Sequence, residues 1–168
     1  MKKILILILA ITSNPVFSDD TFGDWEVGLD KDKTSHFAWS SLPDGDVSLI
    51  FYFKSSKDCN TAVSAQIHSN TSGDAKSESK DKPMKLTTDK GYTWSVDRIL
   101  VKKSRNYIDV TVNFSDENLI AAVKKGNKLK VKIGELPIYE FSLDGSSKAL
   151  TEAEKNCRIV VAKEDLLK

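Results

Sequence analysis

The sequence predicts a mainly β fold: an antiparallel, sandwich-like domain with two short helices and one disulfide bond. Three observations carry that expectation. Apolar residues recur at every second position in segment after segment, which is the period of a strand with one buried and one wet face. Two segments break this rhythm with helical spacing and helix-end residues. The chain has two cysteines, Cys59 and Cys157, in a context that favours pairing.

That context is written in the first eighteen residues. Met1-Lys2-Lys3 is a short basic start, Ile4 to Ile11 is an unbroken apolar run, and Asn14-Pro15 interrupts it. Val16-Phe17-Ser18 then places a small residue just before Asp19. This is the three-part layout of a secretory signal peptide, too short in its apolar run to span a bilayer. No cysteine follows the run to carry a lipid. The expected layout is a signal peptide over 1–18 and a single β-rich domain over 19–168, exported and without an integral membrane segment after cleavage. A bridge between Cys59 and Cys157 would close a loop of about 98 residues, worth on the order of 4–5 kcal/mol by loop-closure entropy. The alternative is two separate buried thiols.

Strands follow in order. Trp25-Val27-Leu29 and Phe37-Trp39 are the weaker ones near the start. Pro43-Asp44-Gly45-Asp46 reads as the turn of a hairpin joining Phe37–Leu42 to Val47–Lys54. Val47, Leu49, Phe51 and Phe53 form one face of a strand, and Val63, Ala65 and Ile67 one face of the next. Residues 69–91 are rich in Ser, Lys, Asp and Thr, with Met84 and Leu86 as the only larger apolar side chains, and read as a long mobile loop. In Tyr92–Val101 the parity shifts between Val96 and Ile99, which a bulge or turn at Asp97-Arg98 would reconcile. Ile108, Val110, Val112 and Phe114 resume the alternation. So do Leu129, Val131 and Ile133, and then Tyr139, Phe141 and Leu143.

The first helix is expected over Asp116–Lys125. Ser115 offers a cap, Phe114 and Leu119 a hydrophobic staple, Asp116 and Glu117 an acidic first turn, and Lys124, Lys125 and Gly126 a basic end and a stop. The second is expected over roughly Ser147–Cys157, with Ala149, Leu150, Ala153 and Cys157 on one stripe. Arg158–Ala162 reads as a last short strand.

Composition excludes some functions. Without Lys2 and Lys3 the 25 basic residues become 23, against 24 acidic. Such a balance gives no long-range field toward nucleic acid. Chemistry is sparse as well. The two histidines, His36 and His68, lie outside any nucleophile-elbow pattern, and no Gly-x-Ser-x-Gly occurs. Two paired cysteines leave no thiolate nucleophile. No His-x-x-x-His or Cys-x-x-Cys suggests a metal, and Asp30-Lys31-Asp32 and Asp44-Gly45-Asp46 read as charged turns. Asp97, Asp109 and Glu140 stand on strands and could meet only in the fold, as paired carboxylates would. No cofactor is expected.

Surfaces remain. Trp25, Trp39 and Trp94 fall on parities assigned to the core. Ile50, Tyr52 and Tyr107 fall on the wet parities of their strands; if those strands are neighbours, the three form an exposed apolar patch unless a helix covers them. Lys124, Lys125, Lys128, Lys130 and Lys132 make a basic stripe, with Lys130 and Lys132 on one face. It would suit an anionic polymer or acidic partner, or it would protect an edge strand from aggregation.

Three segments together carry a resemblance. They are Phe22-Gly23-Asp24-Trp25-Glu26-Val27; Phe114-Ser115-Asp116-Glu117-Asn118-Leu119 leading to Gly126; and Phe141-Ser142-Leu143-Asp144-Gly145 followed by Ala149-Leu150 and Cys157. In this order they resemble the invasion-associated locus B family of exported bacterial proteins. The closing segment is similar to that of type VI secretion-associated envelope proteins. The family commonly has a cysteine soon after its Gly-Asp-Trp strand, whereas this chain has Gly28-Leu29-Asp30. The resemblance implies a β-rich envelope or secreted protein without known catalytic residues. The functional expectation is a non-enzymatic accessory protein, periplasmic or secreted, that binds a protein partner in the bacterial envelope or secretion apparatus, with a homodimer as a further possibility. The alternative is a secreted inhibitor of a hydrolase such as lysozyme.

Overall fold

The computed structural model describes residues 20–30, 33–55, 59–68, 76–103, 107–114 and 116–166. The expected signal peptide, Ser115 and the first part of the expected loop, 69–75, lie outside the described residues. In chain order the elements are β1 (Asp20–Phe22), β2 (Trp25–Leu29), β3 (Ser35–Ser41), β4 (Val47–Lys54), β5 (Thr61–His68), β6 (Lys76–Lys80), β7 (Met84–Thr88), β8 (Thr93–Val96), β9 (Ile99–Lys103), β10 (Tyr107–Phe114), α1 (Glu117–Lys125), β11 (Lys128–Ile133), β12 (Ile138–Ser142) and α2 (Ser146–Asp165). They build an eight-stranded sheet, β1-β2-β3-β4-β5-β10-β9-β6, and a four-stranded sheet, β12-β11-β7-β8. All pairings are antiparallel.

The alternating residues do what their period demands. Leu49, Phe51 and Phe53 of β4 and Val63 and Ala65 of β5 point inward, and Leu86, Leu129, Val131 and Phe141 meet them from the smaller sheet. Leu119 and Val123 of α1 and Ala149, Leu150, Ala153 and Cys157 of α2 belong to the same core. Ring contacts knit it together. Trp25 lies 6.0 Å from Phe51, Phe51 lies 6.3 Å from Phe114, and Phe114 lies 5.7 Å from Trp94 of the other sheet.

The two ends of the domain meet at one junction. Gly23 and Gly145 both have positive φ, +58° and +82°. Asp24 N–H donates to the Asp144 carbonyl at 3.1 Å, and Trp25 Nε1 donates to the Ser142 carbonyl at 2.9 Å. A Cβ on Gly145 would overlap the Phe22 carbonyl, and one on Gly23 would sit 2.8 Å from the Asp144 carbonyl. The turn before β2 is thus seated backbone-to-backbone on the turn before α2. Cys59 and Cys157 form the expected disulfide, with Cα atoms 6.1 Å apart. It ties the β4–β5 connection to α2.

Four expectations are corrected and one alternative is decided. Residues 76–91 are not a loop: they hold β6 and β7, and both Met84 and Leu86 are fully buried. Of the two alternatives at Asp97-Arg98 the structure has the turn: the chain crosses there from β8 in one sheet to β9 in the other. The N-cap of α1 is Asp116, whose side chain accepts from Asn118 N–H at 2.9 Å and from the Tyr92 hydroxyl at 2.7 Å. Arg158–Ala162 is not a strand, because α2 runs on to Asp165. The buried stripe continues at helical spacing from Cys157 to Val161, and this outweighs the β-branched run. Trp39 points out of the core, opposite Ile50, because β3 carries its large rings on the outer face.

A smaller lock joins the two sheet-flanking turns. Asp89 accepts from Asn127 N–H and Asn127 Nδ2, both at 2.8 Å, and from Lys128 N–H at 3.3 Å. These hydrogen bonds hold its carboxyl down at about 2.

Cys59→Ala/Cys157→Ala should lower stability by about 4 kcal/mol in urea unfolding. A loss under about 1 kcal/mol would show that the bridge does not restrain the unfolded chain. Gly145→Ala should cost at least about 3 kcal/mol through overlap with Phe22, whereas Gly91→Ala, with open space around it, should cost about 1 kcal/mol from its φ alone. Equal losses would remove the junction from the account.

Candidate functional site

The core occupies only one side of the large sheet. Both helices and the small sheet pack there, since their buried residues share one cluster with the inward residues of β2–β5, β9 and β10. Ile50 and Ala62 are buried, at 8% and 1% exposure, yet belong to no part of that cluster.

Register defines that face. Phe37 stands opposite Tyr52 and Trp39 opposite Ile50. Ile50 stands opposite Ser64 and Tyr52 opposite Ala62. Ser64, Gln66 and His68 stand opposite Thr111, Asp109 and Tyr107. Phe37, Trp39, Tyr52 and Tyr107 are all half-buried. Phe37 and Tyr52 meet edge to face with centroids 6.0 Å apart. The Phe37 ring also lies over Gly28, where a Cβ would come within 2.6 Å of it. Glycine at 28 is what lets the end of this aromatic ring approach β2 so closely.

The predicted patch of Ile50, Tyr52 and Tyr107 is therefore on one face, but rearranged. The strands β4 and β10 are not neighbours; β5 separates them. Ile50 is its covered floor rather than an exposed contact. Small residues on β5, Ala62 and Ser64, leave room between the two tyrosines. Sequence reasoning missed Phe37 and Trp39 on this face, because only the register of β3 with β4 shows that their parity shares the outer side with Ile50 and Tyr52.

A polar cluster borders the rings. Ser64 Oγ donates to Asp109 Oδ1. Thr111 Oγ1 lies 3.1 Å from the same carboxylate oxygen and 3.2 Å from Ser64 Oγ, and its single proton serves one of the two. The Tyr52 hydroxyl is pushed up to about 12, by burial first and then by the negative charges of Asp109 and Asp30 and by Tyr107. A phenol so placed stays protonated and available as a donor across the physiological range.

Other candidates disperse. Ser64 donates to Asp109 and not to a histidine. His36 is half-buried, with burial holding its pKa down against the opposing pull of Asp30. Asp97 lies in the crossover, Asp109 on the outer face of the large sheet and Glu140 on the smaller sheet, so these acids do not converge. Asp30 is a turn staple, accepting from Thr34 N–H at 2.7 Å, Thr34 Oγ1 at 2.9 Å and Ser35 N–H at 3.1 Å. Asp44 accepts from Asp46 N–H at 3.1 Å in a second turn. No group of three or more metal-ligating side chains occurs among the described residues. No described helix is long and apolar enough to cross a membrane.

Two further features complete the surface. A cleft of about 480 Å³ lies beside the disulfide, floored by Phe53, Phe114 and Ile120. On its rim Glu154 holds Lys124 at 3.3 Å and Arg158 at 2.8 Å. Lys130 and Lys132 project from the small sheet on β11, which is paired on both sides, by β12 and β7. The edge-protection reading of these lysines therefore does not apply.

The phenol of Tyr52 supplies a spectroscopic test of this geometry. Its folded pKa lies above its unfolded value of about 10, so its contribution to stability is complete below about pH 10 and is lost as pH rises through about 12. Titration at 295 nm should show a late-ionising tyrosine that Tyr52→Phe removes. A single titration near 10, unchanged in the variant, would contradict the placement of Tyr52.

No family model and no curated protein matches the sequence. Among solved structures, the chain is similar to invasion associated protein B from Bartonella henselae, with a TM-score of 0.55 and 18% sequence identity. The superposition covers 88% of this chain and 98% of the other. A match over so much of both chains shows that the two proteins share a fold.

Proposed function

We propose that the protein is an exported, non-enzymatic accessory protein that docks a protein component of the bacterial envelope or secretion apparatus on the outer face of its large sheet. One observation carries the reading: Phe37, Trp39, Tyr52 and Tyr107 stand on a sheet face that none of the described helices or strands covers. Aromatic side chains beside fixed hydrogen-bonding groups are what binding surfaces concentrate at their centres. Tyr52 offers a protonated hydroxyl, and Asp109 and Gln66 offer polar groups at the margin. Export is supported by the leader-like N-terminus and by a disulfide of the kind that oxidising compartments maintain. The shared fold with an invasion associated protein agrees with an envelope or secreted role.

Photocrosslinking tests this directly. A photoreactive residue at Gln66, on the outer face, should trap one envelope or secretion protein, and the same probe at Glu152 on α2 should not. Tyr52→Ala/Tyr107→Ala should cut recovery about tenfold or more, as loss of central aromatic contacts does, with thermal unfolding still cooperative. Undiminished recovery by a folded double variant would overturn the proposal. Capture and inhibition of added lysozyme would replace it with the inhibitor reading.

A further inference from the structure

The small sheet has its own outer face, on the opposite side of the sandwich from the aromatic one. Lys128, Lys130 and Lys132 of β11 alternate with the buried Leu129, Val131 and Ile133. Register sets Lys132 directly opposite Lys85 on β7, and both side chains project outward. The remaining outward strand residues are Thr87, Thr93 and Ser95 on one side and Ile138, Glu140 and Ser142 on the other. Glu140 is the one carboxylate among them. It pairs with Lys128 at 2.6 Å and reaches Lys130 at 3.8 Å. Lys132 Nζ donates to the Leu136 carbonyl at 2.6 Å, which neutralises nothing. Asp89, at the end of the sheet, is engaged by Asn127 and the Lys128 backbone.

This arrangement is not what solubility or edge protection requires. The strand is interior, so strand-to-strand aggregation is already blocked by its neighbours. Like charges directly opposite on a sheet are destabilising, and threonine would pair better at either position. With 25 basic and 24 acidic residues the chain is close to neutral overall, so the cationic character belongs to this face and not to the protein at large. Along β11 the lysine Cα atoms recur roughly 7 Å apart, and the Lys85 backbone stands about 5 Å across from that of Lys132. The outward strand residues of the face carry hydroxyls and include no aromatic anchor of the kind a protein partner would need.

We propose that this face binds a linear polyanion, a polymer carrying phosphate, sulfate or carboxylate groups along its length, through Lys85, Lys130 and Lys132. The polymer supplies the negative charge that no ion pair among the described residues gives to Lys85 and Lys132. The inference is independent of the aromatic face and of its partner.

The test uses the chain without its leader, with dextran sulfate and long-chain polyphosphate as probes, neutral dextran as the control polymer, and vesicles containing phosphatidylglycerol. Binding to both polyanions and not to dextran is expected, weakening steeply with salt. Lys85→Thr/Lys132→Thr should bind about tenfold more weakly, with the log–log salt slope reduced by about 2, one per lost cation. Its unfolding temperature should equal or exceed that of the parent. Lys85→Arg/Lys132→Arg should retain binding, and Lys102→Thr/Lys103→Thr on β9 should leave it unchanged. Absence of polyanion binding, equal losses in the β9 pair, or binding to vesicles alone would each overturn the proposal. So would a Lys85→Thr/Lys132→Thr variant that binds as the parent does.

Discussion

The backbone contact between the turn at Gly23 and the turn at Gly145 is the constraint on which the rest of this fold depends. It brings the first strands and the last helix to one point, with no side chain between them. Trp25 is set by it through the Ser142 carbonyl, and Trp25 in turn packs on Phe51 at the centre of the core. Helix α2 leaves the same turn with Ser146 Oγ donating to the Val123 carbonyl, 3.2 Å away, so α1 is fixed to the junction as well. Motifs read as a family resemblance, Phe22 to Trp25 and Phe141 to Gly145, are the two halves of this contact. Their residue types are demanded by packing, which is why they speak to fold and are silent on chemistry.

With the helices and the small sheet gathered on one side, the large sheet is left with a second surface to account for. Its rings are not scattered. They follow register across β3, β4 and β10, and Gly28, Ala62 and Ser64 are small where a larger side chain would displace them. The small sheet bears hydroxyls and ammonium groups instead. One sandwich thus presents an aromatic side and a cationic side, separated by the full thickness of the core, and suited to contacts of different chemistry.

Alternation made most strands legible, because Leu49, Phe51 and Phe53 or Leu129, Val131 and Ile133 have no other way to reach a common core. It failed where a strand draws its burial from neighbours. The strand β7 has only Met84 and Leu86 to contribute, yet they suffice, since β11 supplies the opposing apolar residues. It failed again at β3, where both faces carry apolar side chains and parity alone does not say which one is inside. The expected patch was legible in its strand parities for Tyr52 and Tyr107. The order of strands that put β5 between them was not, because register and neighbour choice are tertiary properties. The cleft beside the disulfide had no sequence signal, being made by the packing of α1 and α2 against the ends of β4 and β10.

The placement of the disulfide bears on how the molecule takes up tension. Cysteines 98 positions apart enclose β5 through β12 and most of α2 in one covalent loop. The strands β1 to β4 stand outside it, held to it by the β4–β5 ladder, by the hydrogen bonds at the Gly23–Gly145 junction and by packing on α2. A pull on the two termini would therefore peel those four strands and then stop at Cys59. The loop would be spared, and the fully stretched chain would be shorter by roughly 340 Å. What would be lost first and regained first is the aromatic wall on β3 and β4, while the lysine face stays enclosed within the loop.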